Sequence, residues 1–219
     1  MRDVLTRETA EELRAVLSDQ TPWGLAMQAD GSQFEGPQQV RPAELQTPTG
    51  QRRVQALGQA SDEAAAKGAY AFRFAQHSLV QAVQEGAQPD GPHTILLEHL
   101  NAPDFLKLAR DITGIAELQR ADGQATLFGR NHFLGVHNDS HVAEGWRVAY
   151  VLNLTSDDWR PDWGGYLAFL DEDGDIEAGY RPRFNALNLF AVPSRHCVTY
   201  VPPFAPLGRF AVTGWLRDR

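Results

Sequence analysis

The second half of the chain constrains the fold most. From about residue 122 it breaks into eight short runs separated by turn residues: 125–128, 133–137, 147–153, 166–170, 175–180, 186–191, 198–201 and 210–216. Short runs of β-forming residues at this spacing suit a barrel or a two-sheet jelly roll. The first half is richer in helix. Residues 6–17 carry Leu13, Val16 and Leu17 on one side, as an amphipathic helix does. Trp23, Leu25 and Met27 alternate as a strand, and Asp30-Gly31-Ser32 turns the chain. Residues 43–66 read as two short helices broken around Pro48-Thr49-Gly50. Tyr70, Phe72 and Phe74 give another strand, and 86–92 a Gly- and Pro-rich loop. A helix with Asn101 as N-cap, Pro103 in its first turn and Gly114 as its stop would bury Phe105, Leu108, Ala109 and Ile112.

Helices first and strands later is a mainly β (α+β) order, unlike the strict alternation of a doubly wound parallel sheet. We expect one domain over 1–219. Helices and supporting strands over 1–122 would pack outside a β core over 123–219. No Gly-rich phosphate loop precedes a helix, which disfavours a nucleotide-binding α/β enzyme.

Composition narrows the chemistry. The 219 residues include a single cysteine, which excludes an internal disulfide framework and any zinc site needing two thiolates. No apolar run is long enough to span a membrane, and Met1-Arg2-Asp3-Val4-Leu5 does not read as a signal peptide. These features suit a cytoplasmic protein. The formal charge is −8, and the 18 Arg and 2 Lys are scattered, so nucleic acid is not the expected partner.

The chemistry centres on Gly135-Val136-His137-Asn138-Asp139-Ser140-His141. On an extended chain His137 and Asp139 project to one face. An imidazole and a carboxylate together suit a borderline divalent metal. His196, 57 residues beyond Asp139 and just before a strand, is the natural third ligand. Two His and one carboxylate on one face of an octahedron leave three positions open. The rival set His137, Asp139 and His141 would make a zinc site with water in the fourth position, as in a metallohydrolase.

The tail alternates: Arg209, Ala211, Thr213 and Trp215 share one face, Phe210, Val212 and Leu216 the other. An Arg facing a barrel interior is costly unless paired. Its planar fork matches a carboxylate. The partner could be one of the chain's own acids, or one end of a dicarboxylic keto acid whose other end chelates the metal. Cys197 follows a ligand and should point away from it, as a small core residue.

Residues from about 126 to 217 resemble the 2-oxoglutarate/Fe(II)-dependent dioxygenases, nearest to prolyl 4-hydroxylases of the EGL-nine type and their bacterial relatives. The resemblance rests on five blocks in order: His137-Asn138-Asp139, Arg147 to Asn153, Trp163 to Leu167, Pro193 to His196 and Arg209 to Trp215. It implies a double-stranded β-helix with the site between its sheets. It implies His137, Asp139 and His196 as iron ligands and Arg209 on the distal carboxylate of 2-oxoglutarate. Tyr150 would reach that carboxylate too, unless the register shifts by one and Val151 takes its place. Thr213 would lie nearby, and Arg147 and Trp215 would line the pocket of a target proline. A second family tyrosine, ten residues before the first ligand, is absent; Leu127 and Phe128 stand there. The implied reaction consumes 2-oxoglutarate and dioxygen, releases succinate and carbon dioxide, and hydroxylates the substrate. The substrate would be a prolyl residue of a protein, or a free amino acid or small metabolite.

Overall fold

The computed structural model describes every residue except Ala87, His141 and the side chain of Val142. In the first half, helix α1 (Arg7–Ala15) leads into strands β1 (Gly24–Ala29) and β2 (Gln38–Val40). Helices α2 (Pro42–Leu45) and α3 (Pro48–Ala66) and strand β3 (Ala71–Ser78) follow, then helices α4 (Leu79–Gln84), α5 (Pro92–Leu100) and α6 (Pro103–Thr113). The second half holds β4 (Arg120–Ala121), β5 (Gln124–Phe128), β6 (Phe133–His137), β7 (Trp146–Leu154) and β8 (Leu167–Leu170). It ends with β9 (Ile176–Tyr180), β10 (Phe184–Ala191), β11 (His196–Val198) and β12 (Arg209–Arg217).

The strands pair antiparallel in one curled sheet of order β10-β7-β12-β5-β3-β6-β11-β8-β9; β1 extends it from β3 and β4 from β12. The curl brings β7 and β12 opposite β6 and β11, which is the jelly roll expected from the short-strand pattern. Seven of the eight expected runs are strands, displaced at their ends by at most two residues; the run expected at 198–201 is strand only at Val198, because β11 spans His196–Val198. Among the described residues no helix is long and apolar enough to cross a membrane.

The outer face of the sheet is covered by helices. Val148, Tyr150, Leu152 and Leu154 of β7 and Val212 and Leu216 of β12 pack with Leu79, Leu96, Leu100, Leu106 and Ala109 of the α4–α6 layer. Each such fully buried aliphatic side chain contributes about 1.5–3 kcal/mol. A second layer, α3, sits on β1, where Leu57 meets Met27 and Val40. The inner face is lined by Phe72, Phe74 and Phe128, with Trp159, Val198 and Val201 around them.

Three local readings change. The break before the long helix falls at Thr47, whose hydroxyl accepts from the Gly50 amide; Pro48 is the first helical residue, where its missing N–H costs nothing. Asn101 does not cap α6. It closes α5 instead, and its amide ties Leu97 to Ala121, leaving Ala102 as the N-cap. With that start, α6 buries Leu106 and Ala109, while Ile112 is exposed. Gly114 ends α6 in the left-handed conformation, as expected. Helices α4 and α5 were not legible: α4 is one turn and a half capped by Ser78, and α5 has no side-chain cap.

Candidate active site

Strands β6 and β11 are neighbours, and His196 lies directly across from His137 in their register. The two rings are 4.1 Å apart centre to centre. Each Nδ1 sits against a carbonyl oxygen, His137 on Gly135 at 2.9 Å and His196 on Ser194 at 2.7 Å. A carbonyl only accepts, so each Nδ1 carries a proton, and in the neutral ring Nε2 keeps its lone pair for a ligand. This arrangement fixes ring orientation and tautomer in metal-binding histidines.

Asp139 joins them by a different route from the one read in the sequence. Strand β6 stops at His137, and Asp139 adopts a left-handed backbone, φ 55°, a conformation Asp tolerates better than most residues. Its Oδ1 lies 3.3 Å from His137 Nε2 and its Oδ2 3.5 Å from His196 Nε2. One ligand atom from each of the three residues falls within 4.8 Å of the others. Burial alone would raise the Asp139 pKa. The hydrogen bond and charge of His137, the charge of His196 and the Trp215 N–H outweigh burial and hold it below the ordinary carboxylate value. Burial, then the neighbouring His137, lowers that of His196. The site therefore favours an ionised carboxylate and a neutral His196, the protonation states that metal binding requires. His141, the rival ligand, lies outside the described residues.

The triad opens on a cavity of about 470 Å³. Its floor is β12. Arg209, Thr213 and Trp215 line the cavity, while Val212 and Leu216 face the helices, as the alternation required. Arg209 is 1% exposed. Among the described residues no carboxylate pairs with it, and its Nε has no hydrogen-bond partner. Its guanidinium lies over the Phe128 ring at 5.1 Å, and Nη2 reaches Asn153 Oδ1 only at 3.5 Å. Burial pulls its pKa down to about 10. The sequence left open a partner among the chain's own acids; the described residues provide none. A buried, unpaired guanidinium in a cavity with three side chains that could hold a metal ion fits a dicarboxylate that bridges the two.

Two readings of β7 are corrected. Tyr150 borders the cavity, but its hydroxyl is turned away to a backbone carbonyl. The ring packs among Leu79, Leu100 and Phe105 on the helix side, and the hydroxyl donates to the Asp122 carbonyl at 2.7 Å. The one-residue shift considered above is the observed one: Val151, with Ala149, faces the cavity. Arg147 is also outside. It is half-exposed and pairs with Asp218 at 3.3 Å. Here β7 has a bulge: Val148 pairs with Leu216 but Trp146 with Arg217, so Arg147 is an extra residue. A bulge reverses the pleat and re-aims the neighbouring side chain. Trp146 consequently enters the cavity and stacks on Trp215 at 3.8 Å and 11°.

Several lining residues were missed. Gln124 and Thr126 of β5 share the cavity face with Phe128, and Gln124 donates to Thr213 Oγ1 at 3.3 Å. Buried Asn153 shares parity with Val151. The signal was available: polar residues on the parity opposite an apolar one. Tyr70, read only as a strand residue, lines the cavity, its ring 6.0 Å from that of His137. Burial, then the charge of Asp139, raises its pKa, which keeps the phenol protonated.

Residues 123–217 match the family model of the 2OG-Fe(II) oxygenase superfamily, whose members use Fe(II), 2-oxoglutarate and dioxygen. A prolyl 4-hydroxylase from Pseudomonas putida superposes with a TM-score of 0.53 at 23% identity, covering 94% of this chain and 99% of that one. A prolyl 4-hydroxylase from Phytophthora capsici gives 0.51 at 14% identity, covering 99% of this chain and 68% of that one. At these identities the likeness is one of fold. No curated protein matches the chain.

Proposed function

We propose that the chain is a 2OG-Fe(II) oxygenase, the family whose model matches residues 123–217, and that it hydroxylates a prolyl residue of a protein. One observation carries the reading: the His137, Asp139 and His196 cluster shares a cavity with the buried, unpaired guanidinium of Arg209. His137, Asp139 and His196 would hold Fe(II), and Arg209 the distal carboxylate of 2-oxoglutarate, with Thr213 beside it. Trp215 and Trp146 would border the substrate. The prolyl substrate is taken from the prolyl 4-hydroxylases of P. putida and P. capsici, whose fold the chain shares.

When bound, Fe(II) with 2-oxoglutarate and dioxygen supplies the oxidising power, decarboxylating the keto acid to succinate and inserting one oxygen into a substrate C–H bond. The chain itself binds, orients and excludes water. The Gly135 and Ser194 carbonyls hold both imidazoles with Nε2 forward. Arg209 turns its fork from an unpaired charge into a bidentate contact once a carboxylate arrives. The wall of Tyr70, Phe72, Phe74 and Phe128, with adjacent ring centres 4.9 to 5.8 Å apart, keeps the interior apolar.

The test starts without oxygen. Fe(II) and 2-oxoglutarate together should give a weak visible charge-transfer band. With oxygen and substrate, succinate should form, and His137→Ala, Asp139→Ala and His196→Ala should each abolish it. Full activity of His196→Ala would refute the ligand set. Pull-down with inactive enzyme, then mass spectrometry, should find one added oxygen on proline only when active enzyme is supplied. An added oxygen on a free amino acid or other small metabolite instead would replace the prolyl substrate.

A further inference from the structure

The two oxygens of Asp139 have different surroundings. Oδ1 faces His137 Nε2 at 3.3 Å. Oδ2 lies 3.5 Å from His196 Nε2 and, unlike Oδ1, accepts a hydrogen bond from the Trp215 indole Nε1–H at 3.0 Å. That indole is held from two directions. Trp146 stacks on it almost parallel at 3.8 Å, and Arg217 lies over the Trp146 ring at 5.7 Å. The Trp215 backbone N–H donates to Asp122 Oδ1 at 2.7 Å, and Asp122 Oδ2 in turn accepts from Arg217. An indole N–H can only donate, and its direction is fixed by this frame.

We propose that Trp215 is a positioning residue that keeps Asp139 a one-oxygen ligand, so that the position its second oxygen would fill stays open for 2-oxoglutarate. The inference rests on His137, Asp139 and His196 holding the metal. A carboxylate free on both sides can chelate a divalent ion through both oxygens. With one Oδ2 lone pair engaged and the carboxylate held in place by a rigid N–H, Oδ2 would be the poorer donor and the ion would meet Oδ1. Three protein ligand atoms then leave three positions for keto acid and oxygen. A second carboxylate oxygen would take one of the three and compete with the keto acid. The bulge at Arg147 enters the same device, because it turns Trp146 inward to back the indole.

The measurement is Co(II) binding and 2-oxoglutarate binding by the full chain, read in the visible absorption of the ion. Trp215→Phe keeps a smaller aromatic ring for Trp146 to stack on and removes the N–H. We expect its Co(II) affinity to stay within about threefold of the parent. Its d–d absorption should weaken, as it does when coordination number rises. Its 2-oxoglutarate dissociation constant should rise about tenfold, which is about 1.4 kcal/mol. A 2-oxoglutarate affinity within twofold of the parent overturns the proposal, and so does a loss of affinity without the weaker band. If Trp215→Phe fails to fold, Trp146→Ala must give both shifts in the same direction and smaller; unchanged values there overturn it equally. A parent chain that neither binds Co(II) nor responds to 2-oxoglutarate would defeat the functional reading as well, which separates the two failures.

Discussion

Replacing Arg209 by methionine should make the protein more stable and useless at once. Methionine fills much of the same space without charge. The folded state holds a guanidinium whose pKa burial lowers to about 10, well below that of a free arginine. That difference corresponds to roughly 3 kcal/mol of penalty on the charged form. Between those two values the unfolded chain binds the proton more tightly than the fold does. The penalty is therefore fully present at neutral pH and relieved only as pH rises above about 10. Against it stand the Phe128 contact, about 0.5–2 kcal/mol, and the long Asn153 bond, which is at the limit of hydrogen bonding. Arg209→Met should then gain about 1–2 kcal/mol. For a domain of this size that raises Tm by about 2–8 °C. A ligand at a hundred times its Kd returns about 2.7 kcal/mol to the parent, but nothing to the variant. The assay is a pair of thermal melts of metal-loaded parent and variant, without and with 2-oxoglutarate. A variant that melts below the parent without 2-oxoglutarate would refute the unpaired-charge argument. One that keeps the ligand-dependent shift would refute the role assigned to Arg209.

Three other outcomes follow from geometry. Tyr150→Phe leaves the Asp122 carbonyl without its donor and should cost about 1 kcal/mol, with unchanged 2-oxoglutarate affinity; a tenfold weaker affinity in titration would return that phenol to the cavity. Burial, then His93, lowers the His77 pKa to about 4. The unfolded chain thus binds the extra proton between pH 6.5 and about 4, and stability is lost as pH falls through that window. His77→Gln should flatten the fall in Tm between pH 7 and 5, and equal slopes in calorimetry would contradict the assignment. Gly214→Ala drives a Cβ into the Asp122 carbonyl oxygen of the adjoining chain and should cost more than about 2 kcal/mol; urea unfolding at parental midpoint would show that the strand can yield.

The β half was legible because period-two alternation survives wherever one face is apolar and the other is not. On β12 that rule assigned Arg209, Thr213 and Trp215 to one face with no error. It failed on β7, where both faces are buried and alternation vanishes. There the residue types could not say whether Tyr150 or Val151 looked inward, and nothing announced an extra residue at position 147. Asp139 was found for a partly wrong reason: the two-residue spacing was right, but a left-handed turn, not the pleat, brings its carboxylate round. Helices α4 and α5 escaped because they are short or lack a capping side chain, and their stability comes from packing on the sheet.

The bulge in β7 gives one strand two phases. Downstream of Arg147 odd positions serve the interior and even positions the helix layer; upstream the assignment reverses. The rim and the floor of the chamber are therefore written in separate frames. Evolution could exchange rim side chains before residue 147, and with them the choice of substrate, without disturbing the alternation that seats Ala149 and Val151. Equally, deletion of one residue at the bulge would rotate Trp146 away from Trp215 while leaving everything beyond Val148 in register.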